Sequence, residues 1–139
     1  MAAFTLESNT NKTQSTLKSL FEFLIDFKNF NSILPSDKVE NFEFTDTHCS
    51  FNIKGITPMT IKLVEKTPYS FIFFSSEGLA KFNFSLKVYF TGNENELGEC
   101  KIDLLGDLNP IIKSMAEKAL LNLVNTMSLK LSELKLQTT

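Results

Sequence analysis

The chain contains no arginine and no tryptophan, and only one histidine, two cysteines, five glycines and four prolines in 139 residues. Each shortage excludes something. Without arginine there is no planar, bidentate clamp for phosphate or carboxylate, and the 14 lysines supply all the positive charge. Those lysines are scattered and outnumbered by 16 acidic residues. A net charge of -2 and a pI of about 5.4 leave no electrostatic footprint for nucleic acid, so no nucleic-acid partner is expected. No nucleophile–base–orienter set can be assembled around the single histidine, His48. Cys49 and Cys100 lack a metal-ligand spacing and read as reduced core thiols. There is no P-loop, no dinucleotide glycine motif and no G-x-S-x-G elbow. No cofactor and no metal is expected. No apolar run approaches the ~20 residues of a membrane span. The start, Met1 to Glu7, lacks a basic region followed by an apolar stretch. The expectation is a soluble cytoplasmic protein. With so little glycine and proline there is no linker, repeat or low-complexity segment. Residues 1–139 therefore read as one domain, long enough to bury a substantial core.

What the chain does have is phenylalanine, fourteen of them, and a clear change of hydrophobic period. Phe4 and Leu6 alternate with Thr5 and Glu7 in a short first strand. Asn9 or Thr10 suits the cap of a following helix, in which Leu17, Leu20, Phe21 and Leu24 fall at helical spacing. A second short helix is expected from Asp26 to Leu34, closed by Pro35. From Val39 to Leu105 the period is two. Phe42 and Phe44 mark one strand, Cys49, Phe51 and Ile53 the next, then Met59, Ile61 and Leu63. Phe82, Phe84, Leu86, Val88 and Phe90 follow, and Cys100, Ile102 and Leu104 close the series. Only Phe71 to Phe74 is apolar on both sides, which predicts a central or covered strand. Alternation of this kind is typical of antiparallel strands with one buried face, and short turns between them predict hairpins.

After Cys100 to Leu105 comes Gly106-Asp107-Leu108-Asn109-Pro110, then an unbroken helical pattern to about Leu136. Asn109 suits the N-cap and Pro110 the first turn. Ile112, Ala116, Ala119, Leu120, Leu123, Met127 and Leu134 share one face by the 100° rule. Asn125, Ser128 and Ser132 lie elsewhere, Lys130 falls inside the apolar stripe and snorkels, and Leu121 and Leu129 are on the exposed side. The fold class is thus α+β, a long helix laid across an antiparallel sheet.

The element order, the run Asp26-Phe27-Lys28-Asn29 leading to Ile33-Leu34-Pro35, the turn Val64-Glu65-Lys66-Thr67-Pro68-Tyr69 and Leu108-Asn109-Pro110 opening the last helix resemble the START-like, Bet v 1-like (SRPBCC) superfamily. The chain is similar to its small bacterial polyketide cyclase and lipid-transport members along nearly all its length. The resemblance implies the helix-grip fold: a curved sheet of about seven strands around a long C-terminal helix, with two short helices after the first strand. It also implies a cavity between helix and sheet. Superfamily members bind lipids, sterols, polyketides or hormones, and a minority are enzymes.

Candidate chemistry is sparse. His48 reads as an exposed strand-end residue. The carboxylates fall on wet faces and turns, with Glu40 and Asp46 at the rim, and no converging pair is visible. The inward phenylalanines have two readings. They fill the core, or they line an apolar cavity open at one end. Ala116 and Ala119 favour a gap, but they equally permit a closer approach of helix and sheet. The residues expected to line such a cavity are Phe42, Phe44, Phe51, Ile53 and Ile61, then Phe71, Phe73, Phe82, Phe84 and Leu86. Ile102 and Leu104, and Ala116, Ala119, Leu120, Leu123 and Met127 of the helix, complete the set. Tyr69 and Tyr89 are weaker candidates for orienting polar groups, although parity turns Tyr89 outward. The functional expectation is non-catalytic binding or transport of a hydrophobic small molecule or lipid. The alternatives are a polyketide cyclase or dehydrase, which needs acid/base groups inside the cavity, and a co-chaperone-like interaction module built on Leu121, Leu129 and Leu136. The ligand and the oligomeric state are not legible in the residues.

Overall fold

The computed structural model describes residues 2–54, 58–76, 83–108 and 110–136. The strands are β1 (Ala2–Glu7), β2 (Asn11–Lys12), β3 (Val39–Phe44), β4 (His48–Ile53), β5 (Pro58–Thr67), β6 (Phe71–Ser76), β7 (Asn83–Thr91) and β8 (Glu99–Leu108). They form one antiparallel sheet in the order β1-β8-β7-β6-β5-β4-β3, and β2 adds a second short pairing to β8. Helix α1 (Leu17–Leu24) and a 3-10 turn (Phe27–Ile33) separate β2 from β3, and α2 (Pro110–Glu133) ends the fold. Six of the seven principal strands are sequential neighbours, as short hairpin connections require, and only β1 crosses over to pair with β8. This is the helix-grip α+β architecture.

Local chemistry explains most element boundaries. Thr16, not Asn9 or Thr10, caps α1, its hydroxyl accepting from Ser19 N at 3.2 Å. Residues 11 and 12 are instead drawn into the sheet beside Cys100 and Glu99. The segment expected as a second α-helix is a 3-10 turn, with the Asp26 carboxylate accepting from Lys28 N at 3.2 Å. Asn109 and Phe82 lie outside the described residues. Helix α2 has 24 residues, about 36 Å, and stops at Glu133, three short of the expected Leu136.

Two strands depart from simple parity. In β3 the register shifts between Glu40 and Glu43, and Asn41 takes φ 59°, a left-handed value that asparagine tolerates. The bulge lets Val39 and Phe44 share the inner face with their partners Ile53 and Cys49. Glu40, expected at the rim, lies opposite Asn52 and is exposed. In β6 the inward residues are Ile72 and Phe74, both fully buried, so the expected inward placement of Phe71 and Phe73 is corrected. Four apolar residues in a row carry no parity of their own. Pairing of Ile72 with Val88 and of Phe74 with Leu86 sets it. Phe71 and Phe73 stack on the outer face, where Phe71 also meets Tyr89 at 5.3 Å and Lys87 covers Phe73. β6 is the middle strand of the seven, as its two-sided apolar character predicts.

The core lies between the sheet and α2. Its centre is an aromatic cluster in which Phe30 meets Phe74 edge-on at 5.4 Å and Phe51 at 6.3 Å, while Phe27 meets Phe74 at 5.8 Å. Two of these four rings come from the 3-10 turn, which thus fills volume that the sheet's curvature would leave open.

The C-terminal half of α2 is tied to the start of the chain by polar groups. Ser128 is fully buried and Ser132 nearly so, contrary to their expected placement off the packed face. Ser128 Oγ accepts from Asn11 Nδ2 at 3.0 Å and donates to Asn9 O at 3.2 Å. Asn125 Oδ1 accepts from Asn9 N at 2.9 Å, and Gln14 N donates to Ser132 O at 2.8 Å. Lys130 is half-exposed, and its Nζ donates to Leu34 O at 2.8 Å, binding the exit of the 3-10 turn to the helix. Leu136 packs against the core, whereas Leu121 and Leu129 are exposed as expected. Near the helix start, Ile111 and Met115 are about three-quarters exposed (74% and 76%), so this end is much less covered than the anchored half.

Candidate functional site

The less covered end of α2 overhangs a cleft of about 490 Å³ facing the base of the β3–β4 hairpin. Such a volume falls in the range of small-molecule sites. Pro35, Ile53 and Leu123 are buried at its floor with Ala119 half-buried beside them, and Met115, Asn122, Lys38, Lys54 and Lys118 form an exposed lip. Neighbouring segments set each position. Beyond the 3-10 turn, Pro35 O accepts from Lys38 N at 3.0 Å and from Val39 N at 3.1 Å, a tight turn that delivers Lys38 to the start of β3. Lys54 follows β4, and its N–H donates to Lys38 O at 3.0 Å, so the two lysines sit opposite each other across the open end of the hairpin. On the helix, Met115, Lys118, Ala119, Asn122 and Leu123 are spaced at three and four residues and form one strip.

Of the residues expected to line a cavity, Ile53, Ala119 and Leu123 line this cleft. Phe51, Ile61, Phe84, Leu86, Ile102, Leu104, Ala116, Leu120 and Met127 are buried in the packed core. Phe42 is half-buried and Phe44 is 54% exposed on the edge strand, their rings 6.1 Å apart. These two border a second, shallower depression with His48 near the β3–β4 turn. The His48 ring contacts the Thr47 hydroxyl through Nδ1 at 2.5 Å, on the solvent side of that turn. Sequence reasoning missed Pro35, Lys38, Lys54, Met115, Lys118 and Asn122. The helical three would have emerged by extending the strip around Ala119 by one turn each way. The lysines carried no signal, because their convergence requires the hairpin to face the helix.

The titrating groups with displaced values lie away from the cleft. Burial pushes the Cys49 thiol up to about 12 and the Cys100 thiol up to about 11, the latter opposed by its hydrogen bond to Ser128. Both are free thiols, and the strands that carry them are separated by β5, β6 and β7. Asp103 is an exception to the expectation of solvated carboxylates, being 8% exposed. Burial holds its pKa above the ordinary carboxylate value; Lys101 opposes this and Glu7 adds to it. Lys101 bridges Glu7 at 2.5 Å and Asp103 at 3.5 Å. Asp103 pairs with Lys87 and Glu7 across the sheet, on its outer face. Among the described residues no group of three histidine, cysteine or carboxylate side chains is placed to hold a metal, and no helix is long and apolar enough to cross a membrane.

No family sequence model matches the chain, and no curated protein matches it in sequence. Solved structures do match it in three dimensions. Norcoclaurine synthase from Thalictrum flavum superposes with a TM-score of 0.71 at 9% identity, over 94% of this chain and 85% of that one. A conserved protein from Geobacillus kaustophilus gives 0.69 at 10% identity, over 93% of each chain. A START superfamily protein from Mycobacterium smegmatis gives 0.64 at 10% identity, over 91% of this chain and 96% of that one. Likeness at such identities carries the architecture and not the activity. The fold of this chain is the START-like, Bet v 1-like helix grip.

Proposed function

We propose that this protein binds and carries a hydrophobic small molecule or lipid in the cleft between α2 and the β3–β4 hairpin, without catalysis. The observation that carries this reading is the apolar floor of Ile53, Ala119, Leu123 and Pro35 beneath an opening of about 490 Å³. Burying apolar ligand surface there contributes about 25 cal/mol per Å². The rings of Phe30, Phe51 and Phe74 pack on one another in the interior, whereas the cleft at the helix start offers an opening with an apolar floor. Norcoclaurine synthase, which shares the fold, has been solved with dopamine and hydroxybenzaldehyde bound, so that protein accommodates small organic molecules. A cyclase or dehydrase is disfavoured because, among the described residues, the titratable side chains that line the cleft are three lysines at its exposed lip, and none stands on the apolar floor. The co-chaperone-like reading keeps Leu121 and Leu129 but loses Leu136, which packs inward. In this reading residues 1–139 act as one domain, and two buried free thiols suit the reducing cytoplasm.

Native mass spectrometry of gently purified protein, followed by organic extraction, tests the proposal. A bound mass that extracts as an apolar compound supports it. Protein that arrives bare and takes up no neutral apolar probe such as N-phenyl-1-naphthylamine overturns it.

A further inference from the structure

We infer that the cleft selects an amphiphile with an anionic end, a carboxylate or phosphate, held at Lys38, Lys54 and Lys118. This inference rests on the hydrophobic-binding reading and adds the ligand's charge to it. The apolar body would lie on Ile53, Ala119 and Leu123, with the head at the lip.

Charge distribution carries the argument. The chain as a whole is net negative, yet among the described residues three lysines and no carboxylate line this cleft. Lys38 and Lys54 face each other across the hairpin, joined by a backbone hydrogen bond of 3.0 Å, an arrangement in which like charges oppose each other and destabilise the pairing. Two lysines elsewhere are offset by carboxylates. Lys28 sits 3.6 Å from Asp26, and Lys101 bridges two carboxylates. Among the described residues none of the three cleft lysines is in an ion pair. The third, Lys118, comes from a different element and is brought to the same lip by a helix whose far half is anchored through Asn125, Ser128 and Lys130. An anion placed among them relieves the repulsion, whereas a neutral ligand leaves it. A cation would be repelled. A nucleic acid would need a longer basic track or stacking aromatics, and among the described residues no aromatic side chain lines this cleft.

The test measures displacement of bound N-phenyl-1-naphthylamine by four ten-carbon compounds below their micelle concentrations: decanoate, monodecyl phosphate, 1-decanol and decylammonium. The expected result is that one or both anions compete about tenfold more tightly than decanol at low salt, as exposed charge contacts permit. The gap should close near 1 M salt, where screening shortens to about 3 Å. The decanoate and phosphate arms distinguish the two anion chemistries. Combined Lys38→Gln, Lys54→Gln and Lys118→Gln should abolish the gap between the anions and decanol and not lower the unfolding temperature, since the removed charges oppose one another. The corresponding arginine triple should retain the preference. Equal binding of decanol and both anions overturns the anionic assignment while leaving hydrophobic binding intact. A gap that survives the glutamine triple also overturns it, by placing the anion elsewhere. If neither the naphthylamine nor any of the four compounds binds, the hydrophobic-binding reading fails first and this inference with it. The salt series on the unaltered protein decides the matter even if a variant misfolds.

Discussion

Ala119→Phe distinguishes an open cleft from a filled one, and Ala116→Phe is its internal control. The two alanines lie one turn apart on α2, but Ala116 is 3% exposed against the core while Ala119 is half-buried and lines the cleft. Both substitutions carry the same loss of helix propensity, about 0.5 kcal/mol. At Ala116 the ring has no room, and overpacking should add about 1–3 kcal/mol. At Ala119 the ring enters open space, so the propensity cost should be nearly the whole effect. If the ring covers about 80 Å² of surface that a ligand otherwise contacts, binding weakens by about 2 kcal/mol. That corresponds to roughly thirtyfold in Kd. Chemical denaturation of both variants, with N-phenyl-1-naphthylamine titration of the Ala119 variant, gives both numbers. Equal destabilisation of the two variants, together with unchanged probe binding in Ala119→Phe, would refute the assignment of the cleft as the ligand site.

Three further outcomes are expected. Cys49 and Cys100 should resist thiol reagents in the native protein at pH 8 and titrate as two thiols after denaturation. Because burial raises both thiols from 9.0, to about 12 and about 11, the native state keeps this contribution below pH 9 and loses it as pH rises through those values, which a pH series of unfolding midpoints will show. Ser128→Ala should cost about 0.5–1.5 kcal/mol by removing the hydrogen bonds that Ser128 Oγ makes with Asn11 Nδ2 and Asn9 O, measured by urea unfolding; a cost near zero would mean the network does not anchor α2. Asp103→Asn should raise the unfolding temperature at pH 7 and not at pH 3. The raised pKa of Asp103 favours the native state below the ordinary value of 3.8, an advantage lost as pH rises through the folded value, and asparagine never acquires the buried charge. A destabilised variant at pH 7 would show that the contact with Lys101 outweighs burial.

The amino-acid sequence by itself determined the succession of the principal strands, the antiparallel character of the sheet and the long final helix. Those features follow from hydrophobic period and from local breakers, both of which act over a few residues. Strand β7 shows this most plainly: Phe84, Leu86, Val88 and Phe90 alternate with more exposed neighbours as the period predicts. The face of β6 could not be read from its own residues, because Phe71 to Phe74 are all apolar and only the partners Leu86 and Val88 choose the inward pair. The bulge at Asn41 is likewise a product of pairing, since its two-against-one register exists only when β4 is alongside. Ser128 and Ser132 look solvated on a helical wheel. They are buried because the polar groups of residues 9 to 14 come from more than a hundred positions away to meet them. The cleft belongs wholly to tertiary structure. Its floor includes apolar residues that periodicity could place on inner faces, but its lip joins Lys38, Lys54 and Lys118 from a turn, a strand end and a helix, and charges distant in sequence become neighbours only when the sheet closes on the helix.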